Sequence, residues 1–353
     1  MGRMMKAQVV KAPNQMEYCD VPVPEIKSDE VLIKVKVCGI CGSDWSIYTG
    51  KYAADKLPLV SGHEFWGVID EVGSDVKDWK KGERVACDIC LTCGTCYFCR
   101  RGDGLLCQTF TQLGIHTNGG FAEYVKAPAK NLYKLPDDMD DYTAAFVEPL
   151  TATLHASKRM DATIASSIVI IGCGLGILHA AVAKARGLAP IIVIGDSPAR
   201  LQMAKDMGAD IVIDYTKEDP VKRVMEITDG IGADYVIEAV GTSKTYEQAF
   251  SMLRRGGKLE AFGICATDDM ASLSPYEFVL GEKKVSGSCA GIGNNWGEAI
   301  RLLEYGRIDP KPMFSLAVPL KDLEWALLEL RKDKNLVKVF VVPDLEERVY
   351  LNK

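Results

Sequence analysis

From Ile168 onward the chain repeats one pattern: a short apolar run, a stretch of helical character, then another apolar run. The runs are Ile168–Ile171, Ile191–Ile194, Ile211–Ile213, Tyr235–Val240 and Lys258–Phe262. Strands that are apolar on both faces are stable only inside a sheet covered on both sides, and strands joined through helices must lie parallel. The pattern predicts an α/β region with a doubly wound parallel sheet of the Rossmann type.

The first of these strands runs into Gly172-Cys173-Gly174-Leu175-Gly176-Ile177 and then into a helical segment. A turn of this kind lets backbone N–H groups and the helix dipole hold a pyrophosphate. A lone Gly-x-Gly is weak evidence, and the strand, turn and helix around it give it weight. Ile177 occupies the place of the third glycine, which leaves Gly176 to provide room for helix against strand. Asp196 follows the next apolar run, 24 residues after Gly172. A carboxylate there accepts hydrogen bonds from ribose hydroxyls and repels a 2′-phosphate, which favours NAD over NADP. Asp196-Ser197-Pro198 also fits an ordinary helix cap with proline in the first turn.

Before Ile168 the rhythm is different. Val31–Val37, Val68–Val72 and Phe121–Val125 read as short strands divided by turns, so this part is expected to be β-rich. After about Gly291 come a helix near Trp296–Tyr305, a second near Leu320–Arg331 and a last strand, Val337–Val342. At 353 residues the chain exceeds the ~250–300 that one core supports. We expect a first domain of residues 1–155 and 293–353 and a second of residues 156–292.

Cys93, Cys96, Cys99 and Cys107 have the spacing C-x2-C-x2-C-x7-C. A tight loop can bring four such thiolates to the corners of a tetrahedron, and with every position filled by sulfur the metal is structural. Cys90 lies three residues upstream and is read as a buried or spare thiol. Elsewhere Cys38-Gly-Ile-Cys41-Gly-Ser43-Asp44 follows a strand, and Gly62-His63-Glu64 precedes another. Each signal alone is weak. Together a thiolate, an imidazole and a carboxylate leave a fourth position for an oxygen, as catalytic zinc requires.

A net charge of −6 argues against nucleic acid as the main partner. No apolar stretch approaches the ~20 residues of a membrane helix, and Met1–Val10 carries no signal-peptide pattern. Twelve cysteines without an export signal point to a reducing compartment, and the cytoplasm is the expected location.

In order, the two cysteine motifs, the Gly-His-Glu and the glycine-rich turn resemble the zinc-dependent medium-chain dehydrogenase/reductase family over essentially the whole chain. The resemblance implies a β-rich GroES-like catalytic domain beside the Rossmann domain, one catalytic and one structural Zn2+, and NAD. It assigns Cys41, His63 and Glu64 to the catalytic zinc, with Cys38 at a position that is usually no ligand. Glu148, in Val147-Glu148-Pro149-Leu150, matches a carboxylate at the zinc of the polyol branch, binding directly or through water; a helix-capping role is the alternative. Ser43 matches a hydroxyl that meets the substrate oxygen and begins a proton relay, and Asp44 is expected to hold the zinc loop in shape. Many relatives have histidine where this chain has Ser46. Arg200 matches a contact to the adenosine end, and Gly263 and Ser288 fall where the family offers backbone to the nicotinamide.

The expected activity is oxidation of a secondary alcohol of a polyol to the ketone, by hydride transfer from a zinc-bound alkoxide to NAD. L-threonine 3-dehydrogenase or another secondary-alcohol dehydrogenase is the alternative, since Gly287–Gly293 lacks the arginine that sorbitol enzymes carry. A zinc-free quinone reductase would lack these ligands, and a zinc-ribbon module would lack the dinucleotide domain. The partner is a small-molecule alcohol, with no nucleic acid and no membrane, and the family implies a homotetramer or homodimer.

Overall fold

The computed structural model describes residues 2–351. It divides into two compact units, one running to Thr151 and then taking up Gly291–Glu304 and the chain from Met313 onward, the other made of Ala152–Ala290 and Tyr305–Pro312.

In the first unit, β1 (Met4–Ala12) and β2 (Gln15–Pro22) form an antiparallel hairpin. Then come β3 (Glu30–Gly39), α1 (Gly42–Tyr48), β4 (Glu64–Val72), β5 (Arg84–Cys87), β6 (Cys90–Leu91), α2 (Tyr97–Arg100) and β7 (Thr111–Gln112). They are followed by β8 (Tyr124–Pro128), β9 (Leu132–Lys134), α3 (Asp141–Ala145) and α4 (Val147–Met160), which passes into the second unit after Thr151. The expected strand at Phe121–Val125 begins only at Tyr124. Gly120 and Phe121 instead give their N–H groups to the carbonyls of Gly62 and Ser61, in the loop that carries His63.

The second unit holds β10 (Ile168–Ile171), α5 (Gly176–Ala185), β11 (Ile191–Gly195), α6 (Pro198–Met207) and β12 (Ile211–Asp214). It continues through α7 (Pro220–Ile227), β13 (Ala233–Glu238), α8 (Ser243–Ser251), β14 (Leu253–Ala261), α9 (Pro275–Leu280) and β15 (Lys284–Gly287). The six strands are parallel in the order β12-β11-β10-β13-β14-β15. The order reverses direction between β10 and β13, the place where such sheets open a crevice for a ligand. Strand β13 stops at Glu238 rather than Val240, because the Glu238 carboxylate takes the N–H of Val240 out of the ladder.

The chain then returns through α10 (Asn294–Glu304), β16 (Phe314–Pro319), α11 (Leu323–Lys332), β17 (Lys338–Val342) and β18 (Val349–Tyr350). Strand β17 pairs antiparallel with β3, completing a sheet in the order β18-β16-β17-β3-β4-β5-β9, with β8 also on β3. Among the described residues no helix is long and apolar enough to cross a membrane.

Candidate active site and metal centre

The pairing of β3 with β4 sets Gly39 opposite Glu64. Cys41, two residues past the end of β3, is thereby brought to His63, one residue before β4. One donor atom each from Cys41, His63 and Glu64 lies within 4.8 Å of the others, and His63 and Glu64 are buried. Glu148 stands outside this group of donors.

Cys41 caps α1 in an extended conformation, and its N–H donates to Asp44 Oδ2 at 2.9 Å. Asp44 therefore holds the cysteine loop in shape. Its other oxygen lies 3.8 Å from His63 Nδ1, too far for a hydrogen bond, and both atoms are buried without one. On the opposite side of the ring, Ser43 Oγ is 3.4 Å from His63 Nε2.

The field here suits a cation. Burial works against protonation of His63, yet Asp44, Cys41 and Glu148 together raise its pKa well above the usual value. Burial also pushes Asp44 up, and pushes Glu148 up to about 7. A metal ion resolves both problems, since it neutralises the acids and gives the imidazole a lone-pair partner. The residues fit a catalytic zinc with room for a further ligand.

Lys338, on β17, was not singled out from the sequence. Its ammonium pairs with Glu64 Oε2 and also donates to the Ile40 carbonyl at 3.3 Å. Burial lowers its pKa, but Glu64, Cys41 and Glu148 together outweigh this and the net shift is upward. A Cβ on Gly39 would strike both partners, so glycine is needed there for the pair to form. The available signal was one lysine inside the apolar run Val337-Lys338-Val339-Phe340-Val341-Val342.

In the second cluster all four sulfurs of Cys93, Cys96, Cys99 and Cys107 lie within 4.8 Å of one another. Three separations are 3.6 Å for Cys93–Cys107 and 4.0 Å for both Cys93–Cys99 and Cys96–Cys107. A tetrahedral zinc with bonds of ~2.3 Å sets its sulfurs ~3.8 Å apart. The N–H and hydroxyl of Thr95 and the N–H of Cys96 point at Cys93 Sγ and pull its pKa down to about 5. Desolvation and neighbouring thiols push Cys99 the other way, to about 11, so the sulfurs cannot all ionise unless a cation joins them. The Cys90 thiol turns instead to the Gly291 carbonyl and Gln112.

In the other unit, Gly172 ends β10 with φ +112°, and a Cβ there would lie 3.0 Å from Val240 and 3.1 Å from the Ala239 carbonyl. The chain turns through Gly174 and Leu175, and α5 begins at Gly176 without a capping side chain; the N–H groups of Ile177 and Leu178 donate to the carbonyls of Gly174 and Leu175, at 3.2 and 3.0 Å. Gly176 faces Ile170, where a Cβ would come within 3.1 Å, while Ile177 is fully buried. The close approach of helix to strand is thus made one residue earlier than the usual fingerprint makes it.

Asp196 directly follows β11, with the Cys173 thiol 3.9 Å from its Oδ1. Ser197, not Asp196, caps α6 by accepting from the N–H of Arg200 in its first turn. At the next strand ends, the N–H of Gly263 donates to the Glu238 carbonyl and that of Ser288 to the Ala261 carbonyl. The Ser288 hydroxyl is buried without a hydrogen bond.

Two family models match the chain: the alcohol dehydrogenase GroES-like domain over residues 27–137 and the zinc-binding dehydrogenase over residues 174–305. L-threonine 3-dehydrogenase of Bacillus velezensis is 36% identical, covering 97% of this chain and 100% of its own. D-arabitol-phosphate dehydrogenase of Enterococcus avium is 34% identical over 98% of this chain and 100% of its own. The solved structure of an Escherichia coli CFT073 alcohol dehydrogenase complexed with NADH is 30% identical, with a TM-score of 0.90 over 97% of this chain and 100% of that one. With both domains and this length of similarity in place, the chain belongs to the zinc-dependent medium-chain dehydrogenase/reductase family and is an oxidoreductase of the alcohol dehydrogenase class.

Proposed function

We propose that the protein oxidises a secondary alcohol of a polyol or sugar alcohol to the ketone, reducing NAD+ to NADH and releasing a proton. The observation that carries this is the donor group of Cys41, His63 and Glu64, three ligands where the cysteine cluster has four. When bound, zinc supplies a Lewis acid that makes an alcohol hydroxyl acidic, and the nicotinamide supplies the hydride acceptor.

The chain's own residues do the rest. Asp44 fixes the backbone of Cys41 and faces the far nitrogen of His63. Lys338 balances Glu64. Ser43, beside His63 Nε2, is assigned to hold the substrate hydroxyl and accept its proton. With Ser46 in place of a relay histidine, that proton leaves through hydroxyls and water, with Glu148 as the buried carboxylate nearby. Gly172, Gly174, Leu175, Gly176 and Ile177 form the pyrophosphate turn, Asp196 and Arg200 take the adenosine end, and Gly263 and Ser288 the nicotinamide end. Asp196 favours NAD, and the E. coli neighbour carries NADH.

Glu148-Pro149-Leu150 and the arabitol-phosphate relative favour a polyol. The Bacillus velezensis relative supports L-threonine as the second candidate. We assign the structural zinc to Cys93, Cys96, Cys99 and Cys107, and place the enzyme in the reducing cytoplasm. Self-association fits the second unit: β15 leaves one edge of the sheet unpaired, and Tyr276, Val279, Leu280 and Val285 are exposed in the α9–β15 segment.

The test is NADH formation with a panel of polyols, polyol phosphates, L-threonine and simple secondary alcohols, alongside metal analysis. Turnover of a polyol with two zinc equivalents per chain is expected. Turnover of L-threonine alone would replace the polyol by the second candidate, and absence of bound metal would overturn the mechanism.

A further inference from the structure

Glu238 closes β13 and is fully buried, although no cation pairs with its carboxylate among the described residues. Instead Oε1 accepts from the N–H groups of Val240 and Gly241, both at 2.9 Å, and Oε2 from Gly241 at 3.1 Å. Its backbone carbonyl accepts from Phe262 at 3.0 Å and Gly263 at 2.8 Å. One residue thus ties together the two turns that follow β13 and β14. From α8, the Tyr246 hydroxyl reaches the same place and donates to the Gly263 carbonyl at 2.5 Å.

The turns pack backbone to backbone. A Cβ on Gly263 would lie 2.5 Å from Glu238 Oε2, and one on Gly241 would lie 2.5 Å from the Ile264 carbonyl. Gly172, in the pyrophosphate turn, rests against Ala239 and Val240. These groups all stand at the carboxyl ends of β10, β13 and β14, beside the switch in strand order. A buried carboxylate and a half-buried phenol are costly ways to hold loops that serve only as connections. They are suited to loops whose shape must be set before a ligand arrives, since a pre-organised site avoids the ordering cost of binding.

We propose that Glu238 and Tyr246 are positioning residues that preset the 239–241 and 262–264 turns for the nicotinamide half of the dinucleotide. This rests on the assignment of NAD to the second unit. The full-length, zinc-loaded protein is titrated with NADH and, separately, with ADP-ribose, which lacks the nicotinamide ring. Tyr246→Phe removes one neutral hydrogen bond, so NADH affinity is expected to fall roughly five- to tenfold. ADP-ribose affinity should stay within about twofold and the thermal midpoint within about 3 °C. Glu238→Gln, which keeps an acceptor oxygen, should retain more NADH affinity than Glu238→Ala. If that position proves intolerant, Tyr246→Phe decides alone.

Equal weakening of both ligands, or unchanged NADH affinity in Tyr246→Phe, overturns the proposal. Wild-type protein that binds neither ligand overturns the NAD assignment itself, and the proposal with it.

Discussion

The first unit contains two clusters of side chains with the donor atoms to hold a metal ion, and they differ in construction. The cysteine cluster comes from one short stretch of chain, offers four identical donors and is stabilised by N–H groups of its own loop. The group of Cys41, His63 and Glu64 comes from the ends of two paired strands, offers three unlike donors, and is surrounded by buried charges from α1, α4 and β17. A local, saturated set of ligands stabilises a fold. An unsaturated set drawn from distant positions can be tuned by its neighbours, and that is where reactivity belongs.

The sharpest way to break this comparison is Cys41→Ser. Losing a Lewis acid from the reacting oxygen is worth several kcal/mol, so NADH formation should fall by roughly 10³-fold or more. Circular dichroism and the thermal midpoint should hardly change, and surviving activity would show that the open group is not the reactive one. Cys96→Ser should behave in the opposite manner. Loss of a structural metal ranks among the most damaging single changes, on the order of 4 kcal/mol, or roughly 5 °C in Tm for a chain of this size. The molecules that remain folded should keep their kcat/KM within about twofold; a selective loss of turnover would erase the distinction between the clusters.

With the open site free of metal, Lys338→Met leaves the Glu64 carboxylate buried and unpaired, a change that costs about 3–5 kcal/mol. Denaturant titration should show this loss while the cysteine cluster keeps its metal. Asp44→Asn weakens the support of Cys41 and His63, so chelator competition should find the open site binding zinc about 10–100-fold more weakly. An equal effect on both sites would mean a general loosening.

The smallest effect concerns a buried histidine with no donors around it. His179 on α5 lies edge-on to Phe262 with both ring nitrogens unpartnered, and burial drives its pKa down to about 3 from an ordinary 6.5. The unfolded chain takes up a proton below about pH 6.5 and the folded one does not until about pH 3. Stability is therefore full above pH 6.5 and falls as the pH drops towards 3. His179→Leu should add about 1–2 kcal/mol at neutral pH and remove this part of the acid slope, measured by urea unfolding at pH 7.5 and 5.5. An unchanged slope would show that the ring finds a partner after all.

Much of this was legible in the sequence because local spacing carried it. Four cysteines in one loop and an apolar run ending in Gly172 announce themselves within a few residues. The parallel strands were likewise visible as apolar runs, most clearly Ile168–Ile171, whose bounds coincide with β10. What escaped depends on contacts between distant segments. Lys338 meets Glu64 only because β17 pairs with β3, and nothing near it in the chain hints at that partner. Glu238 lies within the expected strand Tyr235–Val240, whereas it ends that strand by binding the backbone beyond it. Gly176 shows the intermediate case: the missing third glycine was plain, and only the contact with Ile170 shows where the space went.

The ion pair of Lys338 with Glu64 also makes the formal charge of the donors at the open site differ from that of the cysteine cluster. Four thiolates would enclose a divalent ion in a dianionic shell, electron-rich and with little appetite for another oxygen. Among the donors of the open site Lys338 cancels Glu64, leaving one thiolate and a neutral imidazole, so an ion held there would stay more electrophilic toward an incoming hydroxyl than one among four thiolates.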